Sequence, residues 1–266
     1  MSFLIADSGG TKTDWCIVHS NGEKQFFTTE SYHPLNWNDE FFQRAQSFWK
    51  KYPIEELELH FFGAGCYTNK YAKELSSFFQ RIGFKKTKIL SDLHGAAYAT
   101  LGSRNGEVAI LGTGSVAFSW NNETVTNLKG GKGFLLGDQG SAYYFGKLVL
   151  TAWTDGKLNS FQRKHLEELV SPSNISLKDR FKVADIAQKL GGLNEEFESY
   201  HIDNLRAFVV TDLLSFENDT LHVVGSYGYH NRELLGRILD SIDIKLEVII
   251  EKPITHLVEQ NGLFIE

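Results

Sequence analysis

Apolar residues in the first hundred positions fall into short runs whose spacing alternates between that of strands and that of helices. Residues 3–6 and 15–18 are short, apolar and rich in aromatic or β-branched side chains, which is typical of buried strands. The predicted elements are strands at 24–29, 57–62 and 87–90 besides these two, and helices at 38–50, 69–82 and 93–101. This alternation predicts α/β layering.

The pattern begins again near Val108, as a faint internal repeat. The elements predicted in this half are strands at 107–111, 115–120, 124–128, 220–224 and 246–250, and helices beginning near Ala142, from 231 to 240 and from 253 to 260. Residues 159–217 are mainly helical in pattern, with a break at 171–173, and we interpret them as a helical insertion. The length of 266 residues suits two modest domains, each with its own core.

Two short glycine-threonine loops occupy equivalent places in these halves. Asp7 to Asp14 separates the first two strands, and Leu111 to Ser115 separates the corresponding pair in the second half. Glycine at such a tip permits a positive φ and removes Cβ atoms that would keep an anion away from the amides. Thr11 and Thr13 add hydroxyl groups, and Lys12 adds a positive charge, although a lysine at a hairpin tip is more often simply solvated. The loops therefore predict two phosphate-binding turns.

Other nucleotide-binding motifs do not fit these loops. The chain contains no G-x-x-x-x-G-K-[ST] run, and neither loop leads into a helix as a dinucleotide-binding motif requires. A single glycine-threonine hairpin would be an ordinary connection between strands. Two of them with carboxylates beside both favour a shared anion site.

Composition and charge exclude several classes of protein. Hydrophobic residues make up 42% and the chain has 20 phenylalanines, so we expect a densely packed interior. The net charge is −6 and the basic residues are scattered, which argues against a nucleic-acid surface. No run of apolar residues reaches membrane-spanning length, and no targeting segment is recognisable at the amino terminus, so we expect a cytoplasmic protein.

Cysteine and histidine offer no metal or disulfide chemistry in the sequence. Cys16 and Cys66 each lie in or beside an apolar strand, which favours small buried hydrophobic side chains over a disulfide. His94 and His230 each adjoin a helix start, and no histidine pair has the spacing of metal ligands.

Taken in order, the motifs resemble those of the BadF/BadG/BcrA/BcrD ATPase family, in its N-acetylglucosamine kinase-like branch of the sugar kinase, actin and heat-shock chaperone superfamily. The resemblance spans nearly the whole chain. It implies two actin-like (ribonuclease H-like) lobes with mixed five-stranded sheets flanked by helices, and an ATP cleft between them. The implied lobes are residues 1–105 with a carboxyl-terminal helix at about 253–266, and residues 106–252 with a helical insertion at about 155–218.

The same resemblance assigns the nucleotide-binding residues. The loop at 7–14 matches the first phosphate loop of the family, the loop at 112–115 matches the second, and Gly225 with Ser226 matches the segment that borders the adenosine. The implied contacts to ATP are Gly9, Gly10, Thr11, Lys12, Thr13, Gly112, Thr113, Gly114, Gly225 and Ser226. Asp7 would hold Mg²⁺ through water, although an aspartate in a turn more commonly bonds its own loop.

Asp92 follows a predicted strand and precedes an alanine-rich helix. Related sugar kinases have their catalytic base at this place, and phosphoryl transfer to an alcohol needs a carboxylate to orient the hydroxyl and accept its proton. The alternative is that Asp92 only caps the helix, and the two roles can coexist.

The residues expected to bind a sugar are Asn36, Asp92, Ser115 and Asp138. Asp138 matches the aspartate of a family segment, and Gln139 stands where that segment has a glutamate, which leaves any charge role there open. By another alignment His33 takes the place of Asn36. Asn36 beside Trp37 would suit a pyranose, but the two could equally be a loop anchor and a buried aromatic. An N-cap role is the alternative for Asp138.

These assignments imply an ATP-dependent, Mg²⁺-requiring kinase that phosphorylates a hydroxyl of a small amino sugar, with N-acetylglucosamine the first choice. The expected ligands are ATP and the sugar, with no nucleic acid and no membrane, and a homodimer is left open. Two other functions remain: an ATPase that activates a dehydratase, which would need cysteines for an iron-sulfur cluster, and a sugar or nucleotide sensor without catalysis.

Overall fold

The computed structural model describes residues 2–260 and residue 262, and the chain divides into two compact units. One unit is Met1–Ser103 together with Pro253–Glu266, and the other is Arg104–Lys252. The division falls two residues before the predicted boundary at 105. In the described part of the chain, no helix is both long and apolar enough to cross a bilayer.

The first unit contains a five-stranded sheet whose strand order is β3-β2-β1-β4-β5. Its elements are β1 (Ser2–Ser8), β2 (Lys12–Val18), β3 (Lys24–Glu30), α1 (Asp39–Trp49), β4 (Leu57–Gly63), α2 (Asn69–Ile82), β5 (Lys86–Ser91) and α3 (Asp92–Thr100). The first three strands form an antiparallel meander, and β4 and β5 continue the sheet in parallel with β1. The parallel strands β4 and β5 are connected through α2, as expected of a parallel pair.

Alternate residues of these strands face two different helical layers. Trp15 and Phe61 lie in a core with Trp49 of α1 and Phe79 of α2, and Trp15 and Trp49 meet edge to face at 4.8 Å between ring centroids. The neighbouring residue Phe62 faces the opposite way, against Gly95 of α3. Both cysteines are buried and unpaired, as expected from their apolar surroundings.

The second unit contains a five-stranded sheet in the order β10-β9-β6-β7-β8. Its elements are β6 (Gly106–Leu111), β7 (Ser115–Asn121), β8 (Thr124–Gly130), α4 (Ala142–Thr154), α5 (Ser160–Val170), α6 (Arg180–Lys189), α7 (Glu198–Phe208), β9 (Thr220–Val224), α8 (Ser226–His230), α9 (Arg232–Asp240) and β10 (Lys245–Ile250). A π-helical turn at Val209–Leu213 follows α7. The core packs Leu111 and Val223 of the sheet against Phe145 of α4 and Leu205 of α7.

The two sheets share one topology. In each, an antiparallel meander of three strands is extended by two parallel strands beside its first strand. The predicted fold class is confirmed in its two mixed five-stranded sheets flanked by helices. Each glycine-threonine loop joins the first and second strands of its own sheet.

Some predicted elements differ from those observed. The helix expected at 231–240 is preceded by a separate short helix, α8, and begins at Arg232. The carboxyl-terminal helix, α10, runs from Pro253 to Glu259, and of the remainder of the predicted 253–266 range, residues 261 and 263–266 lie outside the described residues. The break at 171–173 is present, since Ser171 has a φ of 53° and ends α5.

Candidate active site

The first glycine hairpin is closed by a backbone hydrogen bond. The N–H of Gly9 donates to the carbonyl of Lys12 at 3.0 Å, which leaves Gly10 and Thr11 at the tip. Within residues 2–260 and 262, the amides of these two tip residues have no hydrogen-bond partner. A pair of free amides at a tight turn is a site that an anion can occupy.

Thr13 lies beneath this hairpin rather than at its surface. Its side chain is fully buried, shares a 2.8 Å hydrogen bond with the Ser8 hydroxyl and accepts the N–H of Tyr32 at 3.2 Å. The hydroxyl of Ser31 donates to the Gly9 carbonyl at 2.6 Å and supports the loop from the same side. The expected phosphate contact from the Thr13 hydroxyl is therefore wrong, because that hydroxyl holds the loop in place.

Two carboxyl groups act on a third, Asp7, beside the first hairpin. Burial first, and then the charges of Asp14 and Asp92, raise the pKa of Asp7 to about 7 against the opposing effect of Lys12. Lys12 forms an ion pair with Asp14 at 3.2 Å, and the hydroxyl of Thr28 donates to Asp14 at 2.6 Å. The site therefore carries more negative charge than its own cation offsets.

Asp92 is the first residue of α3. The N-cap position belongs to Ser91, so the prediction of Asp92 as the N-cap is wrong, although its carboxylate accepts the N–H of Leu93 at 3.1 Å. Burial raises the pKa of Asp92 to about 6, while hydrogen bonds from the amides of Leu93 and Asp92 lower it. A carboxyl group with this pKa is ionised at neutral pH and still basic enough to accept a proton in a transition state.

The sheet register places Asp7 and Asp92 at one edge of the first unit. Ser8 on β1 is paired with Gly63 on β4, which is paired with Ser91 on β5. Since neighbouring strands lie about 4.8 Å apart, β1 and β5 are separated by about 10 Å. The Asp92 charge also acts on the buried thiol of Cys66, whose pKa is raised to about 12 chiefly by burial.

The segment proposed to contact a sugar lies in the same unit. Asn36 is exposed, and its side-chain amide donates to the Ser31 carbonyl at 3.0 Å, so it anchors the loop and leaves its oxygen for other contacts. Trp37 donates to the Tyr32 carbonyl at 3.0 Å and stacks on Phe78. Trp37 therefore packs against the protein and has its N–H paired, whereas Asn36 keeps its side-chain oxygen for a ligand.

The second glycine hairpin repeats the architecture of the first. The N–H of Gly112 donates to the Gly114 carbonyl at 3.0 Å, and the carbonyls of Gly112 and Thr113 accept the first two amides of α4, from Ala142 and Tyr143. The amides of Thr113 and Gly114 have no partner among the residues that the structure describes. Helix α4 thus fixes the back of the loop and leaves two amides at its front.

Space accounts for one glycine of these loops, Gly114, whereas a methyl group on Gly112 would meet nothing within 4 Å. The expectation of a positive φ is wrong, because Gly9, Gly10, Gly112 and Gly114 are absent from the positive-φ residues of the described chain. Gly114 is needed because a methyl group there would overlap with a neighbouring guanidinium group and lie 2.9 Å from Asp138 Oδ2.

Gly225 and Ser226 meet the second hairpin within the same unit. Gly225 has a φ of 119°, and a Cβ atom there would lie 2.6 Å from the Leu111 carbonyl oxygen and 3.1 Å from the Gly112 nitrogen. Ser226 is exposed and begins α8. The structure therefore brings the predicted adenosine turn against the predicted phosphate loop.

Asp138 and Ser115 bond to the second hairpin and to each other. Asp138 is 3% exposed and accepts the N–H of Ser115 at 3.4 Å, and the Ser115 hydroxyl donates to the Gln139 carbonyl at 2.6 Å. Both side chains support the hairpin, and a contact to a sugar from either of them stays a prediction. The N-cap alternative for Asp138 is wrong, because Ser141 caps α4 by accepting the N–H of Tyr144.

A buried polar network behind the second hairpin was not predicted. Asn204 of α7 accepts the N–H of Gly140 at 2.6 Å and donates to both the Ser141 carbonyl and the Tyr227 hydroxyl at 2.9 Å. The Tyr227 hydroxyl shares a 2.8 Å hydrogen bond with His201 Nδ1, and burial lowers the pKa of His201 to about 4, so this histidine is neutral at pH 7. The helical insertion is thereby tied to α4 and α8.

Arg180 is the other residue that sequence reasoning missed. It is the first residue of α6, and its guanidinium group lies 3.3 Å from Asp138 Oδ2 and over Gly114. No local motif surrounds it, since the contact depends on how α6 packs.

Sequence comparison identifies no relative of this chain: no family model matches it, and no curated protein does so either. Comparison with solved structures finds proteins of similar fold. A candidate N-acetylglucosamine kinase from Porphyromonas gingivalis matches with a TM-score of 0.88 at 24% identity, over 97% of this chain and 98% of that one. A candidate N-acetylglucosamine kinase from Chromobacterium violaceum matches with a TM-score of 0.75 at 16% identity, over 97% and 98%.

A third solved structure was determined with ligands. It is a glucokinase of the ROK family from Streptomyces griseus in complex with glucose and AMPPNP, and it matches with a TM-score of 0.59 at 16% identity, over 99% of both chains. At these identities the likeness establishes the fold alone, which this chain shares with the three solved structures.

Proposed function

We propose that this protein is a sugar kinase that transfers the γ-phosphoryl group of ATP to a hydroxyl of an amino sugar, with N-acetylglucosamine as the first candidate. One observation carries the proposal: two sheets of the same topology each present two free amides at the same turn, and one of them also presents a carboxylate with a raised pKa at the end of its last strand. Solved structures of this fold include candidate N-acetylglucosamine kinases, which supports the choice of sugar.

In the second unit, the nucleotide would bind to the amides of Thr113 and Gly114 and along the Gly225–Ser226 turn. These groups meet within one unit, and α4 with the Asn204 network holds them from behind. The binding surface is thus rigid before the ligand arrives, which lowers the entropy cost of binding.

In the first unit, the amides of Gly10 and Thr11 and the ammonium group of Lys12 would bind phosphate oxygens. Asp92 would orient the acceptor hydroxyl and take its proton, and Asn36, with His33 as the alternative, would contact the sugar. An ionised carboxylate in partly desolvated surroundings is the group that this proton transfer needs.

Charge, rather than a ready set of ligands, favours a divalent cation near Asp7, since the described residues contain no group of three acidic, histidine or cysteine side chains that could hold a metal directly. The raised pKa of Asp7 and the two neighbouring carboxylates mean that a positive charge would stabilise the ionised form of this group. Mg²⁺ held there through water would neutralise negative charge on the phosphates.

The test is release of ADP from ATP and Mg²⁺ in the presence of N-acetylglucosamine, N-acetylmannosamine, glucosamine or glucose, with a no-sugar control. Sugar-dependent ADP release with one preferred amino sugar is the expected result. Sugar binding without ADP release would indicate a sensor, and ADP release that no sugar increases would contradict the kinase assignment.

A further inference from the structure

Arg180 covers the front of the second glycine hairpin from a different part of the sequence. A methyl group on Gly114 would overlap with Arg180 Nη2, so the guanidinium group lies directly against this glycine. The amide of Gly114 is one of the two that have no partner in the described chain. A permanent positive charge and two free amides therefore share one small region.

Close packing of two helices positions Arg180. At Gly146 of α4, a methyl group would overlap with the carbonyl group of Val183 of α6, so the two helices touch through their backbones. Arg180 lies three residues before Val183, at the start of α6, and α4 begins at the hairpin itself. The guanidinium group is thus placed relative to the loop by backbone contacts, not only by its own side-chain rotamer.

The ion pair with Asp138 uses only part of this guanidinium group. Nη2 lies 3.3 Å from Asp138 Oδ2, whereas Arg180 Nε is buried and has no hydrogen-bond partner among residues 2–260 and 262. Asp138 Oδ2 also lacks a hydrogen bond of good geometry there. The Arg180 side chain remains 32% exposed, so a ligand can reach it. A donor without a partner, such as Arg180 Nε, calls for an acceptor from outside the described residues.

We propose that Arg180 is a phosphate-binding residue that contacts the polyphosphate of the nucleotide held by the second hairpin. This inference rests on the proposed function, which places the nucleotide at that hairpin. Arginine suits the task because its planar group offers several donors to phosphate oxygens and remains charged. Asp138 holds the guanidinium group over Gly114 through Nη2 and leaves its other N–H donors free to bind the anion.

The experiment measures binding of adenosine, AMP and Mg-AMPPNP to the full chain by calorimetry. Arg180→Gln should weaken AMPPNP binding at least about tenfold, because it removes a charge-assisted hydrogen bond to the phosphates, and should change adenosine binding less than about twofold. Arg180→Lys should fall between, because lysine keeps the charge without the fork.

Lys178→Gln is the matched control. Lys178 is an exposed cation two residues away, and its substitution removes the same net charge. The expected result is AMPPNP binding within about twofold of the unmodified protein, as for a screened surface charge. Equal losses in Lys178→Gln and Arg180→Gln would overturn the proposal, since the effect would then be one of general charge.

Equal weakening of adenosine and AMPPNP in Arg180→Gln would also overturn it, because a purely structural ion pair would affect both ligands. If Arg180→Gln does not fold, Gly114→Ala replaces it: the added methyl displaces the guanidinium group while the charge is kept. Loss of AMPPNP binding with retained adenosine binding is expected, and unchanged AMPPNP binding would overturn the proposal. Gly191→Ala, where a methyl meets nothing within 4 Å, is its control.

The outcomes separate this inference from the proposed function. If the unmodified protein binds no adenine nucleotide, both are overturned. If it phosphorylates a sugar and Arg180→Gln binds AMPPNP normally, only the role of Arg180 is overturned. If AMPPNP binding depends on Arg180 but no sugar is phosphorylated, the kinase assignment is overturned and the phosphate site stands.

Discussion

Gly225 lies against the main chain of Leu111, so closely that a Cβ atom would be 2.6 Å from the Leu111 carbonyl oxygen. This contact joins the turn before α8 to the strand that leads into the second hairpin. The φ of Gly225, 119°, also disfavours any residue that has a Cβ atom. Only glycine, whose side chain is a single hydrogen atom, therefore allows the two proposed nucleotide-binding segments to lie this close together.

Gly225→Ala should separate these segments and weaken nucleotide binding at least tenfold, with a loss of unfolding free energy of about 1–3 kcal/mol. Calorimetry with Mg-AMPPNP and urea unfolding measure the two effects. Gly236→Ala is the control, because a methyl at that helical position meets nothing within 4 Å and should be neutral or slightly stabilising. Normal binding in Gly225→Ala would show that the turn is not part of the nucleotide site.

Asp92→Asn should lower turnover by about 10²–10⁴-fold and change ATP affinity little, because the amide keeps the shape of the side chain and cannot accept the proton. Steady-state ADP release and AMPPNP binding give the two quantities. Asp39→Asn is the control, since Asp39 is likewise an acid in the first turn of a helix but is exposed. Unchanged turnover in Asp92→Asn would remove the assignment of the base.

The pH dependence of turnover should follow Asp92. Its raised pKa of about 6 means that the carboxylate is ionised, and able to accept a proton, at neutral pH and above. Acidification through pH 6 should therefore reduce kcat/KM tenfold per pH unit well below the pKa. A profile that stays flat from pH 7 down to pH 4.5 would contradict a base role for this group.

Asp7→Asn should stabilise the folded protein at pH 8. The folded-state pKa of Asp7 is raised to about 7, mainly by burial, so ionisation of this group destabilises the folded protein. The loss of stability is complete above the folded-state pKa, and stability is recovered as the pH falls toward the pKa of Asp7 in the unfolded chain. One pKa unit corresponds to about 1.4 kcal/mol, so we expect a gain above about 1 kcal/mol.

Urea unfolding at pH 8 and at pH 5 tests this prediction. At pH 5 the gain should shrink, since Asp7 is then already protonated in the folded protein. The same variant should lose Mg²⁺-dependent activity. A destabilised Asp7→Asn at pH 8 would mean that the carboxylate makes favourable contacts that outweigh its burial.

Asn204→Ala should cost about 1–3 kcal/mol of unfolding free energy, because it leaves the Gly140 amide buried without a partner and removes one of the two donors to the Ser141 carbonyl, which keeps the N–H of Phe145. Asn204→Ala should also weaken AMPPNP binding, since the network holds α4 behind the second hairpin.

Asn105→Ala is the control: it removes one exposed hydrogen bond to the backbone amide of Asn122 and should cost less than about 1 kcal/mol. Equal stabilities for the two variants would contradict the supporting role of Asn204.

The sequence predicted the fold well because apolar spacing and glycine turns are local properties. The helix at 69–82 and the strand at 220–224 have the predicted ends, and Asp92 lies at the predicted junction of strand and helix. The predictions that failed concern the direction in which side chains point and the contacts between residues that are distant in sequence. Whether the Thr13 hydroxyl faces a ligand or the core depends on Tyr32, and local spacing does not reveal such a partner.

The same limit applies to the second unit. Asp138 was assigned by its motif, but its surroundings are set by Arg180, which is forty-two residues later in the chain and arrives through the contact between Gly146 and Val183. Contacts made by helices that pack backbone to backbone leave no pattern in a short stretch of sequence.

The shared strand order of the two sheets suggests how such a chain can change its chemistry. Both halves use the same backbone to present a turn, and they differ in the side chains at the strand ends: Asp92 follows the last strand of one sheet, and Glu251 follows the last strand of the other. A duplicated scaffold of this kind lets one copy diversify while the other keeps its task. The groups presented at a strand end can then change through a few loop substitutions, without any rearrangement of the strands.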